Sequence, residues 1–191
     1  MNNISKIAVF CGSSFGNNDD FISSTKALGK AFARNNISLV YGGGYRGLMG
    51  ALAEAVQANN GHVIGVLPEI FNNEKVKIKQ VEDELIVTKD MHARKKQIYD
   101  IADAFIILPG GIGTFDEFFE IFTWKQIGYH EKNIAIYNIN GFYDTLLSFL
   151  KECCIKGFLR EEVLNSLIVK TDPDEIIEEI KTRKTTLPSK I

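Results

Sequence analysis

In LPGGIGTFDEFFE (108–120), glycines at 110, 111 and 113 lead directly into Thr114, Asp116, Glu117 and Glu120. Such glycines let backbone N–H groups converge on an anion at the start of a helix, and Thr114 adds a hydroxyl. A phosphate ester suits this loop better than an apolar ligand. The carboxylates need a separate reason. By spacing alone, T-x-x-E over 114–117 is a capping box, with Glu117 folded back onto the N–H of Thr114. That is the preferred role for Glu117 on this ground. The helix dipole also favours acids in a first turn by roughly 0.3–1 kcal/mol, so Asp116 and Glu120 are expected as solvated or dipole-complementing charges.

A second group sits in TKDMHARKK (88–96). Asp90 is a plausible N-cap, which places Arg94, Lys95 and Lys96 in or near the first helical turn. The dipole disfavours cations there, so helix stability does not account for them. A phosphate or carboxylate partner does, and only Arg94 can hold it in a bidentate fork. For Lys95 and Lys96 a solvated basic face stays open. His92 is a candidate support for the site, His62 a polar strand-end residue, and His130 part of a helix-to-strand connection. No pair of histidines, with or without Cys153 and Cys154, has metal-ligand spacing.

Gly42, Gly44 and Gly47 in YGGGYRG (41–47) satisfy G-x-G-x-x-G, the dinucleotide fingerprint, with Glu69 as its ribose partner. The fingerprint belongs to the first βαβ unit, however, and here it follows the second strand. A dinucleotide oxidoreductase is therefore the weaker alternative, and tight turns plus helix packing explain glycines of this kind equally well. G-x-x-x-x-G-K-[ST] is absent.

The elements that position these groups are legible from hydrophobic period. Strands are expected at 6–12, 38–43, 62–68, 84–89, 104–110, 133–138 and 167–170, apolar on both faces as in a buried parallel sheet. Helices are expected at 19–35, 47–59, 91–102, 114–128, 142–157 and 173–184. This alternation predicts an α/β fold: a doubly wound, mainly parallel, Rossmann-like sheet of about seven strands flanked by helices. Ligands of such sheets sit beyond the carboxyl ends of the strands. CGSS (11–14), YGGGYRG, LPEI (67–70), TKDMHARK and LPGGIGT should then share one crevice. A single domain over 1–184 with a frayed tail at 185–191 is expected, and the connection after Pro68 is a candidate lid.

The 191 residues carry a net charge of −2 with no basic half, which argues against nucleic acid or an anionic membrane as partner. No apolar run reaches the roughly 20 residues of a membrane span, and no signal peptide is recognisable. Three cysteines, two of them adjacent, fit no disulfide framework. Reduced thiols in the cytoplasm are expected. Cys11, ending an apolar run, reads as a small buried side chain. Trp124 reads as core or interface.

MHARK (91–95), PGGIGTFDE (109–117) and TWKQIGYHEKNIAIYN (123–138) resemble, in order and spacing, the LONELY GUY family of nucleoside 5′-monophosphate phosphoribohydrolases. The resemblance runs from CGSS through YGGGYRGLMG to GFYDTLLSFL (141–150). It implies hydrolysis of the N-glycosidic bond of cytokinin riboside monophosphates or AMP, giving free base and ribose 5-phosphate. It implies Arg94 and Glu117 as the catalytic pair, and Gly110, Gly111, Ile112, Gly113 and Thr114 around phosphate and ribose. Ser13, Gly43, Met91, Lys95, Asp116 and Thr123 complete the expected substrate-binding set. Glu74 is the acidic candidate from the loop before the fourth strand, where the spacing departs from the family pattern. Asp116 stands where many relatives have Glu. The resemblance implies no metal or redox cofactor, and a homodimer or larger homo-oligomer with sites near the interface. Members were long labelled lysine decarboxylases, yet no site for a pyridoxal cofactor is recognisable. A non-catalytic nucleotide-binding module remains the alternative.

Overall fold

The computed structural model describes residues 4–72, 81–184 and 187. Seven strands form one fully parallel sheet: β1 (Lys6–Phe10), β2 (Ser38–Tyr41), β3 (Val63–Pro68), β4 (Glu84–Thr88), β5 (Ala104–Ile107), β6 (Ile134–Tyr137) and β7 (Leu167–Lys170). Their order is β4-β3-β2-β1-β5-β6-β7. The helices are α1 (Asp19–Arg34), α2 (Gly47–Gln57), α3 (Met91–Ile101), α4 (Ile112–Gln126), α5 (Asp144–Ile155), α6 (Glu161–Asn165) and α7 (Pro173–Thr182).

Strand residues alternate between two cores because successive side chains leave opposite faces of a pleated strand. From β1, Ile7 and Val9 join Leu28, Phe32, Leu52 and Ile177 of α1, α2 and α7. Ala8 and Phe10 join Ile98, Phe118, Phe122 and Leu150 of α3, α4 and α5. Burial on both faces explains the nearly continuous Val/Ile runs. The edge strand β4 departs from that expectation: it has one neighbour among the described residues, and its own residues are half-buried to exposed.

The chain winds outward from β1 to β4, then returns to lay β5 against the free side of β1, pairing Ile7 with Ala104 through Phe10 with Ile107. Loops leaving β1 and β5 therefore run in opposite directions from adjacent strand ends, and the gap between them is a crevice. Gly12 N donates to Pro109 O at 3.0 Å, and Leu48 N donates to Gly12 O at 3.1 Å. The loops after β1 and β5 and the start of α2 are thus tied together.

Strands β1, β2 and β5 end earlier than their apolar runs suggested, because residues 11–14, 42–46 and 108–111 turn out of the sheet to build the crevice. Helix α6 was not expected; EEVLN is too short for a periodic signal. Of the expected frayed tail, only Leu187 is described, and it packs partly buried against the second core. The connection after Pro68 begins with a 3-10 turn over Glu69–Phe71; residues 73–80, with Glu74, lie outside the described residues.

The far end of α4 is pinned by buried polar groups. Lys125, 1% exposed, donates to Lys132 O at 2.9 Å, and burial lowers its ammonium to about 8. His130 Nε2 lies 2.9 Å from Ile121 O, while Nδ1 accepts from Lys132 N at 3.1 Å. That pairing requires the neutral ring with its proton on Nε2. Burial holds this histidine down at about 4, against an ordinary 6.5. The unfolded chain takes up a proton that the folded chain refuses, so this site's contribution to stability is lost as pH falls from about 6.5 toward 4. Urea midpoints at pH 7.5 and 4.5 should show that loss, and His130→Gln should flatten it. Equal pH slopes for both proteins would reject this role for His130.

Candidate active site

Arg94 and Glu117 meet at the centre of the crevice. Asp90 caps α3 through Oδ1, which accepts from Ala93 N at 2.7 Å. This fixes Arg94 one turn inside the helix, on its buried side. Its Nη1 donates to Glu117 Oε1 at 2.8 Å, and its Nε donates to Val66 O at 3.2 Å. Both side chains are almost fully enclosed, at 11% and 12% exposure. Burial pushes the Glu117 carboxyl above the ordinary carboxylate range, and the Arg94 charge and hydrogen bond pull against that rise. The net effect is a desolvated carboxyl raised above its ordinary value, with Arg94 as its direct ion-pair partner.

The expected capping box does not form. Helix α4 starts at Ile112, with Gly111 as an N-cap that makes no side-chain cap. Thr114 therefore lies inside the first turn, and Glu117 projects from the next turn toward Arg94. The first helical bond is Phe115 N to Gly111 O, at 3.1 Å. The N–H groups of Ile112, Gly113 and Thr114 consequently have no acceptor within the helix. Space beside Gly111 and Gly113 is open where a Cβ would stand. The positive end of α4 thus lines the cleft without a side-chain cap, as an anion seat requires.

Glycines of the apparent dinucleotide fingerprint serve packing. A Cβ on Gly42 would collide with Arg94 Nη2, and one on Gly47, at φ +59°, would collide with the backbone at 13–14. Gly42 makes room for the guanidinium, and Gly47 lets α2 abut the loop after β1. Glu69, the would-be ribose partner, is exposed in the 3-10 turn.

The cleft measures about 640 Å³. Of the expected residues, Ser13, Met91, Arg94, Gly111, Ile112, Gly113, Thr114 and Glu117 line it. Gly110 packs behind, close to Thr114 and Gly12. Gly43, at φ +71°, packs on Leu67. Lys95, Asp116 and Thr123 are not in the lining. Lys95 Nζ instead lies 2.7 Å from Asp116 and 3.6 Å from Glu120; Asp116 is exposed, as expected of a solvated charge, while Glu120 is half-buried, and both are partners of a lysine between α3 and α4. Burial lowers the Lys95 ammonium, but the two carboxylates outweigh it and hold it above its ordinary value. Lys96 pairs with Asp100 on the exposed face of α3. His92 is exposed and does not line the cleft. Thr123 is exposed on α4.

Tyr45, Arg46, Met49, Leu67 and Phe71 also line the cleft and were not singled out from the sequence. Tyr45, Arg46 and Leu67 fall in strand-end segments expected at the crevice; nothing in the spacing marks Met49 or Phe71, which the topology places there. Cys11 lines the cleft as a buried thiol, raised well above its ordinary value by burial and then by the Glu117 charge. It stays protonated and unreactive, as expected for a small buried side chain. Among the described residues, no group of three or more His, Cys, Asp or Glu could hold a metal ion.

A family model described as "Possible lysine decarboxylase" matches residues 49–180. A cytokinin riboside 5′-monophosphate phosphoribohydrolase of Rhodococcoides fascians is 39% identical over 176 residues, covering 92% of this chain and 89% of that protein. LOG2 of Arabidopsis thaliana, named for the same activity, is 37% identical, covering 91% and 81%. Among solved structures, the molybdenum cofactor binding protein of Rippkaea orientalis aligns with a TM-score of 0.71 at 21% identity, over 95% of this chain and 98% of that one. DNA processing protein A of Streptococcus pneumoniae aligns with a TM-score of 0.59 at 15% identity, over 92% and 62%. At such identities the structural likenesses speak for the fold alone. The sequence matches go further, and by them this chain belongs to the LONELY GUY (LOG) family.

Proposed function

We infer that the protein hydrolyses the N-glycosidic bond of purine nucleoside 5′-monophosphates, cytokinin riboside monophosphates or AMP, releasing free base and ribose 5-phosphate. The observation that carries this reading is a buried Glu117 carboxylate, clamped by Arg94, beside the uncapped N-terminus of α4 in one cleft. Phosphate takes the three N–H groups of 112–114 that have no acceptor within the helix, and the helix dipole. The ribose lies over Glu117, and the base lies toward Met49, Leu67, Phe71 and Met91.

As the bond from C1′ to the base nitrogen lengthens, its electron pair leaves with the base and positive charge spreads over C1′ and the ring oxygen. Glu117 stabilises that charge through a low-dielectric surrounding. Water then adds to C1′, with its proton passing to the carboxylate. Arg94 keeps Glu117 ionised and aimed. Its two hydrogen bonds, to Glu117 and Val66, suit it better for positioning than for proton transfer.

A product-detecting screen over nucleoside 5′-monophosphates, including AMP and its N6-isopentenyl form, tests the reading. Base and ribose 5-phosphate in equal amounts are expected. Saturable binding without product would instead make the protein a nucleotide-binding module.

The protein works, on the same reading, in the cytoplasm as a homodimer or larger homo-oligomer. Cys11, Cys153 and Cys154 are unpaired, and no described helix is long and apolar enough to cross a membrane. Exposed Phe119, Ile127 and Tyr129 around α4 offer an apolar face, and Thr123 on that helix would meet a substrate across it. Light scattering that returns a monomer mass would reject the oligomer.

A further inference from the structure

Arg46 remains unexplained by either the fold or the proposed chemistry. It occupies the N-cap position of α2, where it makes no side-chain cap, and it lines the cleft with its side chain exposed. Its partner is Tyr45: Nε lies 3.4 Å from the hydroxyl, a weak contact, and the guanidinium carbon lies 5.9 Å from the ring centre. No carboxylate holds it among the described residues. The other arginine of the cleft, Arg94, is committed to Glu117 and Val66. Arg46 is thus the guanidinium in the lining with donors to spare.

Its position selects a ligand. Gly47, the next residue, abuts the backbone at 13–14. The same loop is bonded at Gly12 to Pro109, at the threshold of α4. A run of backbone contacts therefore links the Arg46 loop to the threshold of α4, whose N–H groups at 112–114 have no acceptor within the helix. The apolar residues Leu67, Phe71 and Met91, which line the same cleft, come from the end of β3, the turn after it and the start of α3. A phosphate monoester carries close to two negative charges, and a helix terminus offers only about half a positive charge. A planar, permanently charged fork on the rim supplies the remainder.

We propose that Arg46 closes over the substrate's 5′-phosphate from the α2 side of the cleft, opposite the N-terminus of α4, and thereby selects phosphorylated nucleosides. The proposal rests on the phosphoribohydrolase reading for its substrate. Its own content is one binding contact to a phosphate monoester.

The test compares wild type with Arg46→Gln and Arg46→Lys, each verified for unchanged melting temperature. With AMP, Arg46→Gln should raise KM about tenfold, as loss of one charge-assisted contact at an exposed rim does, and leave kcat within about threefold. Inhibition by ribose 5-phosphate and by inorganic phosphate should weaken in parallel, while inhibition by free adenine should move less than about twofold. Arg46→Lys should recover part of the loss. An unchanged KM, or equal weakening of adenine and ribose 5-phosphate, would overturn the proposal. If the wild type releases no base from any nucleotide, the hydrolase reading fails by itself. Calorimetric binding of ribose 5-phosphate to wild type and Arg46→Gln then decides the Arg46 contact, with equal affinities overturning it.

Discussion

Glu117→Gln is expected to cut kcat about 1,000-fold while substrate binding and fold persist. Glutamine keeps the shape and leaves a carbonyl oxygen where Arg94 Nη1 now donates at 2.8 Å, so the cleft should not collapse. What disappears is the negative charge beneath the ribose and the capacity to accept a proton from water. The Kd for a nucleotide, measured without turnover, should stay within about threefold, because phosphate and base are held elsewhere. The pH profile gives an independent check. Burial raises the Glu117 carboxyl above its ordinary value of 4.5, so kcat/KM should rise with pH through a limb displaced above that value, as an active carboxylate requires. A variant that retains more than a tenth of wild-type kcat would remove Glu117 from the chemistry.

Arg94→Met is expected to act on both stability and turnover. Removing one member of a buried ion pair leaves the other charge uncompensated, at a cost of about 3 kcal/mol. Glu117 can limit that cost by taking up a proton, since the cation opposing its burial is gone. The acid limb of activity should therefore move to higher pH than in wild type, and turnover at neutral pH should fall about 100-fold. Denaturant melts separate the pair energy from lost packing: the destabilisation by Arg94→Met should be smaller in a Glu117→Gln background than in wild type. Additive losses in that cycle, or a pH profile unmoved by Arg94→Met, would show that the 2.8 Å contact neither stabilises nor tunes Glu117. The side chain also bonds Val66 O, which is why the comparison is made in both backgrounds.

The alternation of apolar strands with periodic helices determined the doubly wound sheet, because burial on both faces leaves a local signature in every strand. The edge strand β4 is the exception, since its exposure depends on having no outer neighbour among the described residues. Asp90 as the cap of α3 was equally legible: a cap acts within one turn, so its signal is local. The five strand-end segments were assigned to one crevice correctly, because strand direction in a parallel sheet fixes which loops share an end.

The role of Glu117 was a different matter. Local spacing favoured a cap on Thr114, and the motif resemblance favoured catalysis. The choice depended on where α4 begins and on a guanidinium 23 positions away in sequence. The same limit applied to Lys95, whose partners Asp116 and Glu120 lie on another helix, and to Gly42, whose lack of a side chain makes room for Arg94. The sequence by itself determined the elements, their order and the chemical types at each strand end. Only the tertiary structure decided which charges pair, which glycines make room and which face the cleft, because desolvation and contact between distant segments have no period along the chain.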